Sequence, residues 1–85
     1  MKYDNSFYDE RDLIDSLNRG CEIEFLYAGK KYSITHTNDG ISIIEFYNED
    51  SEKTYATAEL LLEHKLNEKA IKDIIPEMKI IDRSF

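Results

Sequence analysis

The stretch CEIEFLYAGKKYSITHT, residues 21–37, decides the fold. Cys21, Ile23, Phe25 and Tyr27 alternate with Glu22, Glu24 and Leu26, and Tyr32, Ile34 and His36 alternate with Lys31, Ser33, Thr35 and Thr37. A period of two marks a half-buried β-strand. The interruption at Gly29-Lys30 reads as a two-residue hairpin loop, with Gly at the first position of a type II′ turn. That register pairs Ala28 with Lys31, Tyr27 with Tyr32, Phe25 with Ile34 and Ile23 with His36, so the apolar faces of both strands coincide.

Downstream, ISIIEFY (41–47) forms a third strand with apolar residues on both faces, so turn chemistry must set its register. Asn38-Asp39-Gly40 suits a three-residue loop in which Gly40 takes the left-handed position of a bulge. Thr37 then pairs with Ile41, Thr35 with Ile43 and Ser33 with Glu45, which sends Ser42, Ile44 and Phe46 to the core. A two-residue loop would place Glu45 beside Ile34 in the core, where an unpaired carboxylate is costly. The three-residue loop is therefore the expected one.

Upstream, Leu13, Ile14 and Leu17 recur at helical spacing, with Asp9 placed to cap the N-terminus and Gly20 to end the helix. Beyond the polar turn NEDSE (48–52), a short fourth strand is expected around Lys53 to Ala56, followed by a helix capped by Thr57 and carrying Leu60, Leu61 and Leu62, with Leu66 at its end. EKAIKDII predicts another short helix stopped by Pro76, and MKIIDRSF an edge strand whose Met78, Ile80 and Ile81 alternate imperfectly. The class is α+β: an N-terminal helix, a three- to four-stranded antiparallel meander, one or two short helices and a C-terminal edge strand. Residues 1–85 read as one domain, with 1–8 as a flexible arm.

Eighty-five residues with 41% hydrophobic content suffice for one modest core. The lone Cys21 offers no internal disulfide, and its spacing to the histidines offers no zinc framework. No apolar run approaches the roughly 20 residues that span a bilayer. A cytoplasmic setting is expected. The net charge of −7 disfavours direct binding to nucleic acid or to an anionic membrane. The excess is also uneven: residues 1–52 hold twelve acids and five bases, whereas residues 53–85 hold six of each. Such asymmetry either marks a surface for a basic partner or solubilises the chain.

The run Arg19-Gly20-Cys21-Glu22-Ile23-Glu24-Phe25, continued by Tyr27-Ala28-Gly29-Lys30-Lys31-Tyr32-Ser33-Ile34, resembles an uncharacterised family of small acidic proteins from Firmicute bacteria or their phages. In that family a helix precedes an "RG.EIEF.Y.GKKYSI" hairpin, and a Leu-rich helix and an "IKII" tail follow. The corresponding later segments here are Glu45-Phe46-Tyr47, Glu59-Leu60-Leu61, Ile71-Lys72-Asp73-Ile74 and Lys79-Ile80-Ile81. The resemblance spans about Asp12 to Asp82 and implies the fold alone. The chain departs from it at Asn67-Glu68-Lys69, where the family has a Gly-containing turn.

Catalytic chemistry finds little footing. His36 and His64 lack partners at ligand spacing; His36 reads as a hydrogen-bonded residue at the rim of the inner face, and His64 as a solvated residue near a helix C-terminus. The serines lack a nucleophile motif. Glu22 beside Cys21 opposes thiolate formation, no glycine-rich loop precedes a helix, and Asp9, Asp12 and Asp15 lack the spacing of a calcium loop. No catalytic residue, cofactor or metal is expected.

What remains is surface. The expected outer sheet face carries Glu22, Glu24, Leu26, Thr35, Ile41, Ile43, Glu45 and Tyr47, with Asp12 and Asp15 contributed by the first helix. Either this face docks a partner, or a helix or the C-terminal tail covers Ile41 and Ile43. The expected function is a non-enzymatic binding or regulatory protein acting on an unidentified, basic protein partner, with a homodimer left open. The alternative is a nucleic-acid-mimicking inhibitor of a basic DNA- or RNA-handling enzyme, of the phage or mobile-element anti-defence type. A mimic needs Asp12, Asp15, Glu22, Glu24 and Glu45 in a single row. A small-ligand sensor would need a pocket, which the sequence does not display.

Overall fold

The computed structural model describes residues 9–84, so the expected N-terminal arm lies outside the described residues. Helix α1 (Glu10–Asn18) starts at Asp9, whose carboxylate accepts the Asp12 amide at 3.0 Å. It ends where Gly20 turns to a φ of 88°, and the Gly20 and Cys21 amides close back on the Leu17 and Ser16 carbonyls at 3.0 Å each. This paired closure satisfies carbonyls that the helix leaves open.

Four antiparallel strands follow as a meander: β1 (Glu22–Tyr27), β2 (Lys30–Thr37), β3 (Gly40–Glu45) and β4 (Asn48–Tyr55). A short helix α2 (Ala58–Leu61), a small hairpin β5 (Lys65–Leu66) and β6 (Lys69–Ala70), helix α3 (Ile71–Ile74) and a 3₁₀ turn (Ile75–Glu77) lead to β7 (Lys79–Ser84). β7 adds to the outside of β1, giving a five-stranded sheet in the order β4-β3-β2-β1-β7. The fold is α+β, with the expected C-terminal edge strand in place.

The register differs from expectation at both hairpins. The first loop is Ala28-Gly29, both with positive φ (53° and 79°), so Tyr27 pairs with Lys30, Phe25 with Tyr32 and Ile23 with Ile34. Two positive φ values are the signature of a type I′ turn, whose twist matches the strands. The slip is two residues, so each side chain keeps its face. Phe25 and Tyr32 stack with ring centroids 5.3 Å apart.

At the second hairpin the loop is Asn38-Asp39 and Thr37 pairs with Gly40, which moves every β3 residue to the other face. Ile41 and Ile43 therefore point inward and are buried, while Ser42, Ile44 and Phe46 belong to the outer side. The Thr37 hydroxyl braces this tighter loop, accepting from the Asp39 amide at 3.2 Å and donating to the Gly40 carbonyl at 3.3 Å. The feared burial of Glu45 does not arise. It is the last residue of β3, lies at the rim opposite Tyr32, and meets the Lys30 ammonium at 3.6 Å.

The polar run expected as a turn, Asn48 to Glu52, is the start of β4. The chain reverses earlier, at Phe46-Tyr47, and pairing with β3 shifts between Ile43 and Glu45. Ser51 mends the gap: its hydroxyl accepts the Glu45 amide at 2.8 Å and donates to the Asn48 carbonyl at 2.7 Å. Thr57 caps α2 as expected, accepting the Leu60 amide, but Leu60 is exposed and Leu66 belongs to the β5–β6 hairpin. Asn67 and Glu68 take positive φ (53° and 74°), supplying without glycine the turn that ends any helix there. Pro76 sits within the 3₁₀ turn.

All three helices pack on one sheet face. Leu13, Leu17, Leu61, Leu62, Ile71 and Ile74 join Ile23, Phe25, Ile34, Ile41, Ile43 and Ile80 in a single core. Arg83 ties β7 to α1 through a 2.9 Å bond from its guanidinium to the Ser16 hydroxyl. Among the described residues the arrangement has two layers, and no helix covers the opposite sheet face.

Candidate functional site

The open face is built by alternation. β1 contributes Glu22, Glu24 and Leu26; β2 contributes Lys31, Ser33 and Thr35; β3 contributes Ser42 and Ile44, which run on to Phe46. Ile80 points inward with Phe25, and Arg83 reaches α1. The two residues between them, Ile81 and Asp82, therefore share the outer side at a bulge opposite Glu24. This bulge explains why the tail does not alternate.

At the centre lies Lys31. Its ammonium is 3.7 Å from the Glu24 carboxylate and 4.3 Å from the Phe46 ring centroid, tying β1, β2 and the β3–β4 turn together by charge and cation–π attraction. Leu26 and Ile81 are 37% and 46% exposed on one flank. Ser42 is buried between its neighbours and shares a 2.6 Å hydrogen bond with the Thr54 hydroxyl.

The Phe46-Tyr47 turn stands out on physical grounds. Tyr47 is fully exposed yet holds a φ of 67°, a left-handed conformation that costs a bulky residue about 1–2 kcal/mol and is ordinarily given to glycine or asparagine. Its ring meets Phe46 edge-on with centroids 6.1 Å apart. No burial of Tyr47 offsets the strain.

The expected surface residues divide among three places. Glu22, Glu24 and Leu26 lie on the open face, and Tyr47 at its turn. Ile41 and Ile43 are in the core, and Glu45 is on the inner rim beside Lys30. Asp12 and Asp15 sit on α1 in the other layer, where Asp15 meets Arg19 at 3.6 Å. Sequence reasoning missed Lys31, Ile44, Phe46, Ile81 and Asp82. The adjacent aromatics Phe46-Tyr47 beside a turn were the available signal.

A second feature lies at the inner rim. His64 follows α2 and is half-buried, not solvated: the Tyr55 hydroxyl lies 2.6 Å from its Nδ1, and the rings meet edge-on at 5.6 Å. Burial, aided by Lys53, lowers the His64 pKa below its usual 6.5, and burial raises that of Tyr55. Beside His64 a cleft of about 270 Å³ opens between the sheet rim and the β5–β6 hairpin, bounded also by Lys30, Tyr32, Glu45, Lys65 and Leu66. Burial first, then Glu45 and Tyr27, raise the Tyr32 phenol. His36 is the rim histidine expected: its Nε2 is 3.2 Å from the Cys21 carbonyl.

Among the described residues no three His, Cys, Asp or Glu side chains gather to hold a metal ion, and no helix is long and apolar enough to cross a membrane. Comparison with protein-family models, with curated proteins and with solved structures finds no match.

Proposed function

We propose that this chain is a non-enzymatic binding protein that docks a basic protein partner on its open sheet face. The observation that carries this reading is Tyr47, strained and fully exposed beside the half-buried Phe46. Backbone strain without a packing return concentrates at functional positions, and exposed aromatics on a sheet rim serve as interface anchors. Leu26, Ile44 and Ile81 extend the apolar ground, and Glu22, Glu24 and Asp82 border it with carboxylates that suit a basic partner. The acidic run Glu49, Asp50 and Glu52 follows the Phe46-Tyr47 turn on the edge strand β4 and extends the favourable field.

Nucleic-acid mimicry has less support. Asp12 and Asp15 stand on the helical layer, and Glu45 and Glu24 each meet a lysine, so the five carboxylates form no single row. The test is affinity capture from the native host at low and high salt with the wild type, Leu26→Arg, Tyr47→Ser and, as a control on the other layer, Leu60→Arg. A partner held at low salt, released by salt, lost with the two face variants and kept by the control is the expected result. Equal capture by all four chains would refute docking on this face.

A further inference from the structure

The cleft beside His64 inverts the charge of the molecule around it. Its rim carries Lys30 and Lys65, with Lys53 close enough to act on His64, against the single carboxylate of Glu45, which Lys30 already meets at 3.6 Å. By contrast, the more open groove beside His36, about 540 Å³, is bordered by Asp39 and Glu59 and by no lysine or arginine. On a chain of net charge −7, a local cationic excess is the less expected arrangement.

Two polar side-chain atoms of residues that line the cleft have no protein partner among the described residues. Nδ1 of His64 is engaged by Tyr55, which leaves Nε2 unpaired; the Tyr32 hydroxyl is also unpaired, although Tyr32 as a whole is only 4% exposed. Among the described residues every deeply buried side-chain nitrogen or oxygen has a partner, so both of these atoms keep some contact with solvent, and both residues line the cleft. In the tautomer in which the Tyr55 hydroxyl donates to Nδ1, the neutral imidazole carries its proton on Nε2 and presents a donor there, and this is the tautomer that an anion in the cleft selects. Ile43 and Leu66 supply apolar wall.

We propose that this cleft binds a small organic anion, a monocarboxylate with a short apolar or aromatic tail. The carboxylate takes hydrogen bonds from His64 Nε2 and the Tyr32 hydroxyl within the field of Lys65, and the tail lies against Leu66 and Ile43. A volume near 270 Å³ is just below the roughly 300–1,000 Å³ typical of drug-sized ligands, so the ligand is small. The cleft lies at the inner rim of the sheet and the proposed docking surface on its outer face, with Ile44 alone belonging to both.

The test is a titration of the full chain, followed by the amide resonances of Ser51, His64, Lys65 and Leu66, with benzoate, benzyl alcohol and benzylamine as probes. Benzoate should shift these resonances saturably with Kd at or below about 1 mM, and the other two should not saturate. Lys65→Glu, at an exposed position, should weaken benzoate about tenfold. Tyr32→Phe should weaken it about two- to tenfold, the worth of one hydrogen bond. Benzylamine binding as well as benzoate, benzoate shifts that fail to saturate by about 10 mM, or unchanged affinity in the well-folded Lys65→Glu variant would overturn the proposal.

Discussion

Replacing Gly40 with alanine should be among the most damaging small substitutions in this chain, and the geometry says by how much. Gly40 opens β3 with a φ of 140°, and a Cβ built there would stand 2.1 Å from the Tyr55 carbonyl oxygen and 3.0 Å from its carbon. A contact near 3.2 Å requires the end of β4 to retreat by about 1 Å, which loosens the pairing of Ile41 with Tyr55 and forfeits about one backbone hydrogen bond, roughly 1 kcal/mol. The dihedral itself adds about 1–2 kcal/mol for a residue with a side chain. The total is about 2–3 kcal/mol. Gly29→Ala supplies the control, since Gly29 also has positive φ (79°) but a Cβ there meets nothing within 4 Å. It should lose about 1 kcal/mol. The difference of about 1–2 kcal/mol corresponds to about 4–16 °C in Tm for a domain of this size. Urea and thermal unfolding followed by circular dichroism will measure it. Equal midpoints for the two variants would refute the reasoning, because both glycines hold a positive φ and Gly40 alone has the end of β4 against its Cβ position.

Two further outcomes follow from the same packing. His64 has a folded-state pKa below 6.5, so as pH falls below 6.5 the unfolded chain takes up a proton that the folded chain refuses, and stability declines until the folded-state value is reached. In urea midpoints measured between pH 7.5 and 5.5, wild type should therefore lose more stability than His64→Gln; parallel slopes would show that His64 makes no such contribution. Ile43→Ala, at 1% exposure, should cost about 2–5 kcal/mol, whereas Leu26→Ala on the open face should stay within about 0.5 kcal/mol. Similar unfolding midpoints for these two variants would mean that β3 faces the other way.

How far the sequence could be read depended on how each strand was constrained. The first hairpin carries its apolar residues, Leu26 apart, on one face, so Ile23, Phe25, Tyr32 and Ile34 read as core even with the loop placed one residue off. β3 offers Ile41, Ile43 and Ile44 across both faces, and its orientation hung on whether the loop before it had two residues or three. The three-residue choice rested on the cost of burying Glu45. That cost disappears at a strand end where Lys30 is within reach, and this proximity is visible only once the first hairpin's true register places Lys30 next to Tyr27. One local error in turn type thus travelled into the next strand and reversed the expected binding face. The helix caps at Asp9 and Thr57 were legible because each depends on neighbours three residues away.

The cleft was illegible for a different reason. Lys30, Tyr32, Glu45 and His64–Leu66 come from three separate segments, and no spacing along the chain relates them. Nor does the charge arithmetic, since Lys30 belongs to the half of the sequence where acids outnumber bases by twelve to five. The fold separates what composition averages: the meander turns carboxylates toward the open face and the β4 edge, while the reversals at Ala28-Gly29 and Asn67-Glu68 bring lysines to the inner rim. The same reversal at Ala28-Gly29 that sets the first register therefore also places Lys30 opposite Glu45 and beside the cleft, so a change of turn type there would alter both faces of the sheet at once.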